Sequence, residues 1–140
     1  MLKTLAQPER KHTILHVDDD PDDLQMLLEA IQSIDPSLQI VQAIDGQQGL
    51  EKLRLMMLSA DLPCLIVLDL NMPRINGKEA FKKIREDEKL SSVPIVILST
   101  SNSAIDRMYF QGRNVEYITK PLRFDHLVDV ASRLLSYCHS

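Results

Sequence analysis

The sequence predicts a doubly wound α/β fold, in which five helices cover a five-stranded parallel sheet. Short apolar runs alternate along the chain with segments whose apolar residues recur at helical spacing, which is the pattern of βα units. Two of the runs are almost continuously apolar, as central strands are when helices cover both faces of the sheet. The 140 residues, 44% hydrophobic and 26% charged, fit one domain with a substantial core.

The predicted strands are the short runs rich in β-branched and aliphatic residues. They are TILHV (13–17), LQIVQA (38–43), CLIVLDL (64–70), PIVILST (94–100) and VEYIT (115–119). Since a helical segment separates each strand from the next, right-handed crossovers make the sheet parallel. Ligands of such sheets bind at the carboxyl ends of the strands, so the residues that close each strand are the candidate site residues.

Five apolar stripes predict the helices. The first stripe spans residues 24–34, with Asp20 as the expected N-cap and Pro21 at the first helical position. Asp22 and Asp23 then lie in the first turn, where the helix dipole favours negative charge. The other stripes lie within residues 50–57, 80–84, 104–108 and 124–135. We expect their methionines, Met108 included, to fill the core or a groove.

Composition narrows the function classes. No apolar stretch approaches the ~20 residues that cross a bilayer, and the net charge of −4 gives no basic face for nucleic acid. We therefore expect a cytoplasmic domain over residues 12–140, behind a flexible tail over residues 1–11, with neither membrane nor nucleic acid as partner. In that compartment free thiols at Cys64 and Cys138 are favoured over a disulfide between them.

The residues that close the strands form a coherent set. Asp18 and Asp19 follow the first strand, Asp69 ends the third, Ser99 ends the fourth and Lys120 follows the fifth. Two unit charges of like sign ~4 Å apart repel by about 4 kcal/mol at an effective dielectric constant near 20. Oxygen ligands without His or Cys suit Mg²⁺, which would offset this repulsion. A carboxylate in such a setting can attack phosphorus and become an aspartyl phosphate.

From Thr13 to Cys138 the chain resembles the receiver domains of two-component response regulators, which have a flavodoxin-like fold. The matching segments are VDDD (17–20), LDLNMPRINGKEA (68–80), PIVILST (94–100) and YITKP (117–121). They stand in family order and at family spacing, and their combination is far more specific than any one of them. Because no other domain follows Ser140, the chain looks like a stand-alone receiver.

The resemblance implies a role for each matching residue. Asp69 corresponds to the phosphoacceptor, Asp19 to a direct metal ligand and Asp18 to a ligand that acts through water. The remaining positions are Asn71 (metal, through its backbone carbonyl), Ser99, Thr100 and Lys120 (phosphoryl binding and switching), Tyr117 (the aromatic that reports the switch) and Pro121 (after a cis peptide bond). Two positions depart from the family pattern: Asn76 replaces a common Asp, and Thr100 is larger than the usual Ala.

The resemblance also implies a function and its alternatives. A sensor histidine kinase would supply the phosphoryl group, and the fourth helix, fifth strand and fifth helix would then change their surface for a downstream protein or a second copy of the chain. The first alternative is a relay that passes phosphate to a histidine phosphotransfer protein. The second is an aspartyl-nucleophile phosphohydrolase, which is disfavoured because Asn71 stands where such an enzyme wants a second acid.

Overall fold

The computed structural model describes residues 12–139. Its elements are β1 (Thr13–Val17), α1 (Pro21–Ile34), β2 (Gln39–Ala43), α2 (Gly46–Leu58), β3 (Leu65–Leu68), α3 (Gly77–Glu86), β4 (Ile95–Ser99), α4 (Ala104–Gln111), β5 (Glu116–Thr119) and α5 (Phe124–Leu135). The predicted fold class is confirmed, and the predicted strands overlap the observed ones with ends that differ by one or two residues. The proposed tail over residues 1–11 lies outside the described residues.

All five strands are parallel and lie in the order β2-β1-β3-β4-β5. The chain leaves β1 to one side for β2 and returns to its other side for β3, so the carboxyl ends of β1 and β3 flank the switch point where such sheets bind ligands. We call this end of the sheet the carboxyl edge and the opposite end the amino edge. Within the described part of the chain no helix has the length and apolar character that crossing a bilayer requires.

Two apolar clusters cover the two faces of the sheet. One cluster joins the sheet to α1 and α5 through residues such as Leu27, Ile31 and Leu134. The other joins it to α2, α3 and α4 through residues such as Leu53 and Phe81. All residues of β1, β3 and β4 are buried, which explains the continuous apolar runs of β3 and β4.

Two sequence predictions about packing are wrong. Ile105 and Met108, which the helical pattern assigns to a buried stripe, are 75% and 71% exposed on α4, and Phe110 alone of that helix is buried. An eight-residue helix at the end of a sheet buries little more than one turn's face, so its apolar period overstates its core contacts. Cys64 and Cys138, expected as free thiols, are joined in a disulfide. Their separation of 74 residues hid a contact that only the fold creates.

Candidate functional site

A cluster of three carboxylates occupies the carboxyl edge between β1 and β3. Asp18 and Asp19 follow β1 directly, and Asp69 follows β3. Strand pairing sets their positions, since the Asp18 N–H donates to the carbonyl of Ala43 on β2 and the Asp69 N–H donates to the carbonyl of Val17 on β1. One oxygen from each carboxylate lies within 4.8 Å of the others. The predicted convergence of these three side chains is therefore present in the structure.

Lys120 places a positive charge among these carboxylates. Its Nζ lies 2.7 Å from Asp18 Oδ2, 2.7 Å from Asp23 Oδ2 and 3.3 Å from Asp69 Oδ2. The side chain is only 11% exposed. Burial disfavours the Lys120 charge, but its close contacts with Asp18 and Asp23 and its attraction to the carboxylates outweigh that effect, so the pKa of Lys120 lies above its ordinary value. The lysine is thus held charged in the pocket.

The Asp69 carboxylate is oriented by its own backbone. The Leu70 N–H donates to Asp69 Oδ1 at 2.8 Å, while Asp69 Oδ2 faces Lys120. Gly77 permits this arrangement, because a Cβ at that position would lie 2.2 Å from the Asp69 carbonyl oxygen. No role for Gly77 is predicted from the sequence. A glycine just after the turn that follows Asp69 is nevertheless a sequence signal that the backbone there passes close to another backbone segment.

Asp18 and His16 lie beneath the pocket. Asp18 is fully buried, and burial raises the pKa of its carboxyl to about 6 although contact with Lys120 and the Asp20 N–H opposes the rise. His16 Nε2 lies 3.9 Å from Asp18 Oδ2, and burial together with the Lys120 charge lowers the pKa of His16 to about 3. The His16 Nδ1 atom is buried without a hydrogen-bond partner. The imidazole is therefore a neutral packing group on β1.

Of the other acidic residues near the first loop, Asp20 has the role predicted from the sequence and Asp23 has a different one. Asp20 caps α1 as predicted, since its side chain accepts from the Asp22 N–H at 2.9 Å. Asp23, assigned only to the helix dipole, instead contacts Lys120. Asp23 precedes the buried Leu27 by four residues, so it lies on the face of α1 that turns toward the sheet. That spacing was the signal that the sequence analysis missed.

The predicted switch residues lie along β4 and β5. Ser99 is fully buried at the end of β4, and its Oγ accepts from the Ser101 N–H at 3.2 Å. Tyr117 on β5 donates from its hydroxyl to the Ser101 carbonyl at 2.7 Å, and the Arg107 guanidinium lies 4.8 Å from its ring centre. Thr100 is exposed. Ser99 and Tyr117 thus hold the same residue from its two backbone groups.

Asn71 lies on the outer wall of the site. It is exposed, and with Asp19, Asn76 and Lys78 it lines an open cleft beside the carboxylate cluster. Asn76 caps α3 by accepting from the Glu79 N–H at 3.0 Å, which explains why Asn serves at this position. The peptide bond before Pro121 is trans, which contradicts the cis bond that the resemblance implies.

The donor atoms fit a hard divalent cation. The cluster supplies carboxylate oxygens and neither nitrogen nor sulfur, which favours Mg²⁺ or Mn²⁺ over Zn²⁺. Two of its members are buried and Asp19 is exposed, so a cation has an open side from which to enter and to keep water ligands.

Comparisons with known proteins agree with this geometry. A family model described as the response regulator receiver domain matches residues 14–132. The probable methanogenesis regulatory protein FilR2 of Methanothrix harundinacea is 29% identical over 135 residues, which cover 95% of this chain and 87% of that protein. The phosphorylated cyanobacterial phytochrome response regulator RcpA superposes with a TM-score of 0.82 at 29% identity, covering 91% of this chain and 93% of that one. For the Mn²⁺-bound response regulator Rcp1 the TM-score is 0.79 at 25% identity, covering 91% and 94%.

Proposed function

This chain belongs to the receiver domain family of response regulators, the phosphoacceptors of two-component signalling, and we propose that Asp69 is the residue that accepts the phosphoryl group. One observation carries the assignment. Asp69 is the carboxylate that lies at the switch point with one oxygen fixed by a backbone N–H and the other facing a lysine. Asp18, by contrast, is fully buried beneath it, and Asp23 belongs to a helix.

The reaction is a direct transfer between side chains. Asp69 Oδ2 attacks the phosphorus of a phosphohistidine, the phosphorus–nitrogen bond breaks, and the imidazole nitrogen that leaves takes a proton. Lys120 Nζ, 3.3 Å from the attacking oxygen, stabilises the charge that develops on the phosphoryl oxygens. The Ser99 hydroxyl is expected to donate a hydrogen bond to one of these oxygens.

We assign Mg²⁺ as the cofactor, held by Asp19 and Asp69, by Asp18 through water, and by the backbone carbonyl of Asn71. When bound, the cation neutralises charge on the carboxylates and on the phosphoryl oxygens. The Mn²⁺-bound form of Rcp1 is a relative with a divalent cation, which supports a metal of this class here.

The switch is expected to pass through Ser101. Movement of Ser99 toward a phosphoryl group breaks its bond with the Ser101 N–H, and the Ser101 carbonyl is the acceptor of the Tyr117 hydroxyl. Ser101 is then expected to shift, so that the Tyr117 hydroxyl loses its acceptor and the Tyr117 ring is free to change rotamer. Phosphorylation adds about −1.5 to −2 charges, enough to bias a two-state element.

The surface that would respond comprises α4, β5 and α5. Ile105 and Met108 on α4, Leu122 just before α5 and Phe124 at its start are all more than 45% exposed, so this surface offers apolar side chains to a partner. We assign this surface to a downstream protein or to a second copy of the chain. The phosphoryl donor is assigned to a sensor histidine kinase, and a phytochrome-type kinase is the first donor to test because RcpA serves a phytochrome by its name.

Incubation with acetyl phosphate and Mg²⁺, followed by intact mass measurement, tests the assignment. We expect one phosphoryl adduct on the wild-type chain and none on Asp69→Asn. Asp61→Asn, which changes an exposed Asp outside the site, is the matched control and should retain the adduct. An adduct that persists in Asp69→Asn would refute the assignment. Rapid transfer of the adduct to a histidine phosphotransfer protein would assign the chain to a relay instead.

A further inference from the structure

The amino edge of the sheet carries a pair of sulfur atoms that the phosphoacceptor function does not use. Cys64 directly precedes β3, and Cys138 follows α5. Their Cα atoms lie 5.1 Å apart, within the range that a disulfide spans without moving the backbone. We propose that these two residues form a reversible thiol–disulfide site, which exchanges with small-molecule disulfides such as oxidised glutathione and fastens the end of α5 to the sheet.

The backbone holds both cysteines in place whether or not the sulfur atoms are bonded. The Cys64 N–H donates to the Thr13 carbonyl at 2.8 Å, and the Cys138 N–H donates to the Leu135 carbonyl at 2.9 Å. These bonds belong to the sheet and to the turn that ends α5. The two sulfur atoms therefore remain neighbours after reduction, which favours re-formation of the bond over pairing with another chain.

The reduced form also has a satisfied environment. Cys64 Sγ lies 3.3 Å from the Thr13 carbonyl oxygen, so a thiol at this position has an acceptor for its proton. Cys138 is 4% exposed within the apolar cluster of α1 and α5, where a free cysteine behaves as a small hydrophobic residue. A reduced Cys64 has a hydrogen-bond acceptor and a reduced Cys138 has apolar surroundings, so this environment is compatible with both redox forms.

Reagents reach the pair from one side. Both cysteines line an open cleft at the amino edge, together with His12, Asp61 and Lys89. Cys64 is half-buried, whereas Cys138 is buried. Cys64 is thus the sulfur that meets a small molecule first, and Cys138 is the one that resolves the resulting mixed disulfide.

The exchange balances in two steps. The Cys64 thiolate, its proton lost to solvent, attacks one sulfur of the small disulfide and displaces one thiolate. The Cys138 thiolate then attacks the Cys64 sulfur and displaces the second. Two protein thiols and one small disulfide become one protein disulfide and two small thiols, and an excess of small thiol reverses both steps.

The disulfide is expected to limit local opening of the residues at the end of α5. Without it, the last turn is still held by the burial of Leu134 and Leu135 and by the Tyr137 hydroxyl, which donates to Glu116 Oε1 at 2.5 Å. Reduction is expected to make the residues after Leu134 open more often, while the closed arrangement in which the two sulfur atoms are neighbours still predominates and the domain stays folded. The carboxylate cluster lies at the other end of the strands, so its reactivity should not depend on the redox state.

Redox titration of the full chain tests the proposal. The protein is equilibrated with graded ratios of oxidised to reduced glutathione, quenched with acid, alkylated with a maleimide and weighed intact. We expect one two-electron transition between a doubly alkylated and an unalkylated monomer, identical from either direction. Two free thiols at every ratio, dimers linked through sulfur, or a bond that excess dithiothreitol cannot reduce in the folded protein would each overturn it.

Single variants separate the roles of the two sulfur atoms. Cys138→Ser should accumulate the mixed disulfide of Cys64 with glutathione. In Cys64→Ser the remaining Cys138 thiol should be alkylated about tenfold more slowly than the Cys64 thiol of reduced Cys138→Ser. Equal rates would contradict the assigned order of attack. In the wild-type chain, amide hydrogen exchange after Leu134 should rise about tenfold on reduction. Unchanged exchange there would refute the fastening role, and none of these measurements depends on phosphorylation.

Discussion

At the carboxyl edge of the sheet three carboxylates and a lysine are packed together by noncovalent contacts, whereas at the amino edge two sulfur atoms are joined by a covalent bond. The same strand supplies both ends. Thr13, at the start of β1, provides the carbonyl that holds Cys64, and Asp18 follows the last residue of that strand. The distance between the two sites is therefore fixed by one short strand.

The two edges differ in what holds them together. Asp18 and Lys120 are buried charges whose mutual attraction offsets a large desolvation cost, so we expect the carboxyl edge to respond strongly to a bound cation or phosphoryl group. The disulfide closes a loop of 74 residues and restricts the unfolded chain. Four perturbations should show how far these two regions are independent.

Reduction of the disulfide should have the largest effect on stability. The chain-entropy model for a loop of 74 residues gives a fall in the free energy of unfolding of about 4 kcal/mol. Urea denaturation at pH 7 with and without dithiothreitol measures it. The double variant Cys64→Ala, Cys138→Ala is the control, because its stability should not respond to the reductant. A wild-type chain that is equally stable with and without dithiothreitol would show that the disulfide contributes nothing to the free energy of unfolding.

Lys120→Met should have the next largest effect. It removes the positive charge that three carboxylates share, and leaving a buried charge without its partner costs about 3 kcal/mol at pH 7. The loss should shrink at pH 5, where the Asp18 carboxyl, with its pKa of about 6, is mostly protonated. Lys89→Met, at an exposed lysine of the amino edge, is the matched control and should change stability by less than about 0.5 kcal/mol. Equal losses would contradict the contrast between the edges.

His16→Leu should change how stability depends on pH. Burial lowers the pKa of His16 to about 3, below its ordinary value of 6.5, so the folded chain binds fewer protons between these values and loses stability as the pH falls through this window. Between pH 6.5 and 5 that loss is about 2 kcal/mol. The variant should lack it. The raised pKa of Asp18 acts in the opposite direction, but both chains share it.

Urea denaturation of both chains at several pH values gives this difference directly. His126→Leu, which changes an exposed histidine of α5, serves as the control and should follow the wild-type curve. Parallel curves for the wild-type chain and His16→Leu would show that His16 is not kept neutral by the fold.

The smallest expected effect is on cation affinity. Because burial raises the pKa of Asp18 to about 6, protons should compete with Mg²⁺ there, and affinity should fall about tenfold between pH 7 and pH 5. Isothermal titration calorimetry with Mg²⁺ or Mn²⁺ measures this change. An affinity independent of pH would remove Asp18 from the set of cation ligands. Reduction of the disulfide should leave the affinity unchanged.

The sequence predicted the carboxyl edge better than the amino edge for a physical reason. Parallel strands place their carboxyl ends together, so a correct prediction of the strands also predicts which residues meet at that edge. Asp69 and Lys120 were located in this way, 51 residues apart. The contact of Asp23 with Lys120 was missed because a residue in the first turn of a helix was interpreted from its local dipole alone.

Other features depended on packing that no local pattern encodes. The exposure of Met108 follows from how little of α4 the sheet covers, although its helical spacing is that of a core residue. Gly77 is needed because a Cβ at this position would lie 2.2 Å from the carbonyl oxygen of Asp69.

The order of strands and helices, the parallel sheet and the group of residues at its carboxyl edge can be predicted from the sequence, because period, capping residues and strand ends are local properties. Only the packed fold shows that Cys64 meets Cys138, that Asp23 joins the other carboxylates around Lys120, and that one side of α4 is exposed. Each of these features depends on how residues far apart in the chain are placed relative to one another, and that placement is set only when the helices pack on the sheet.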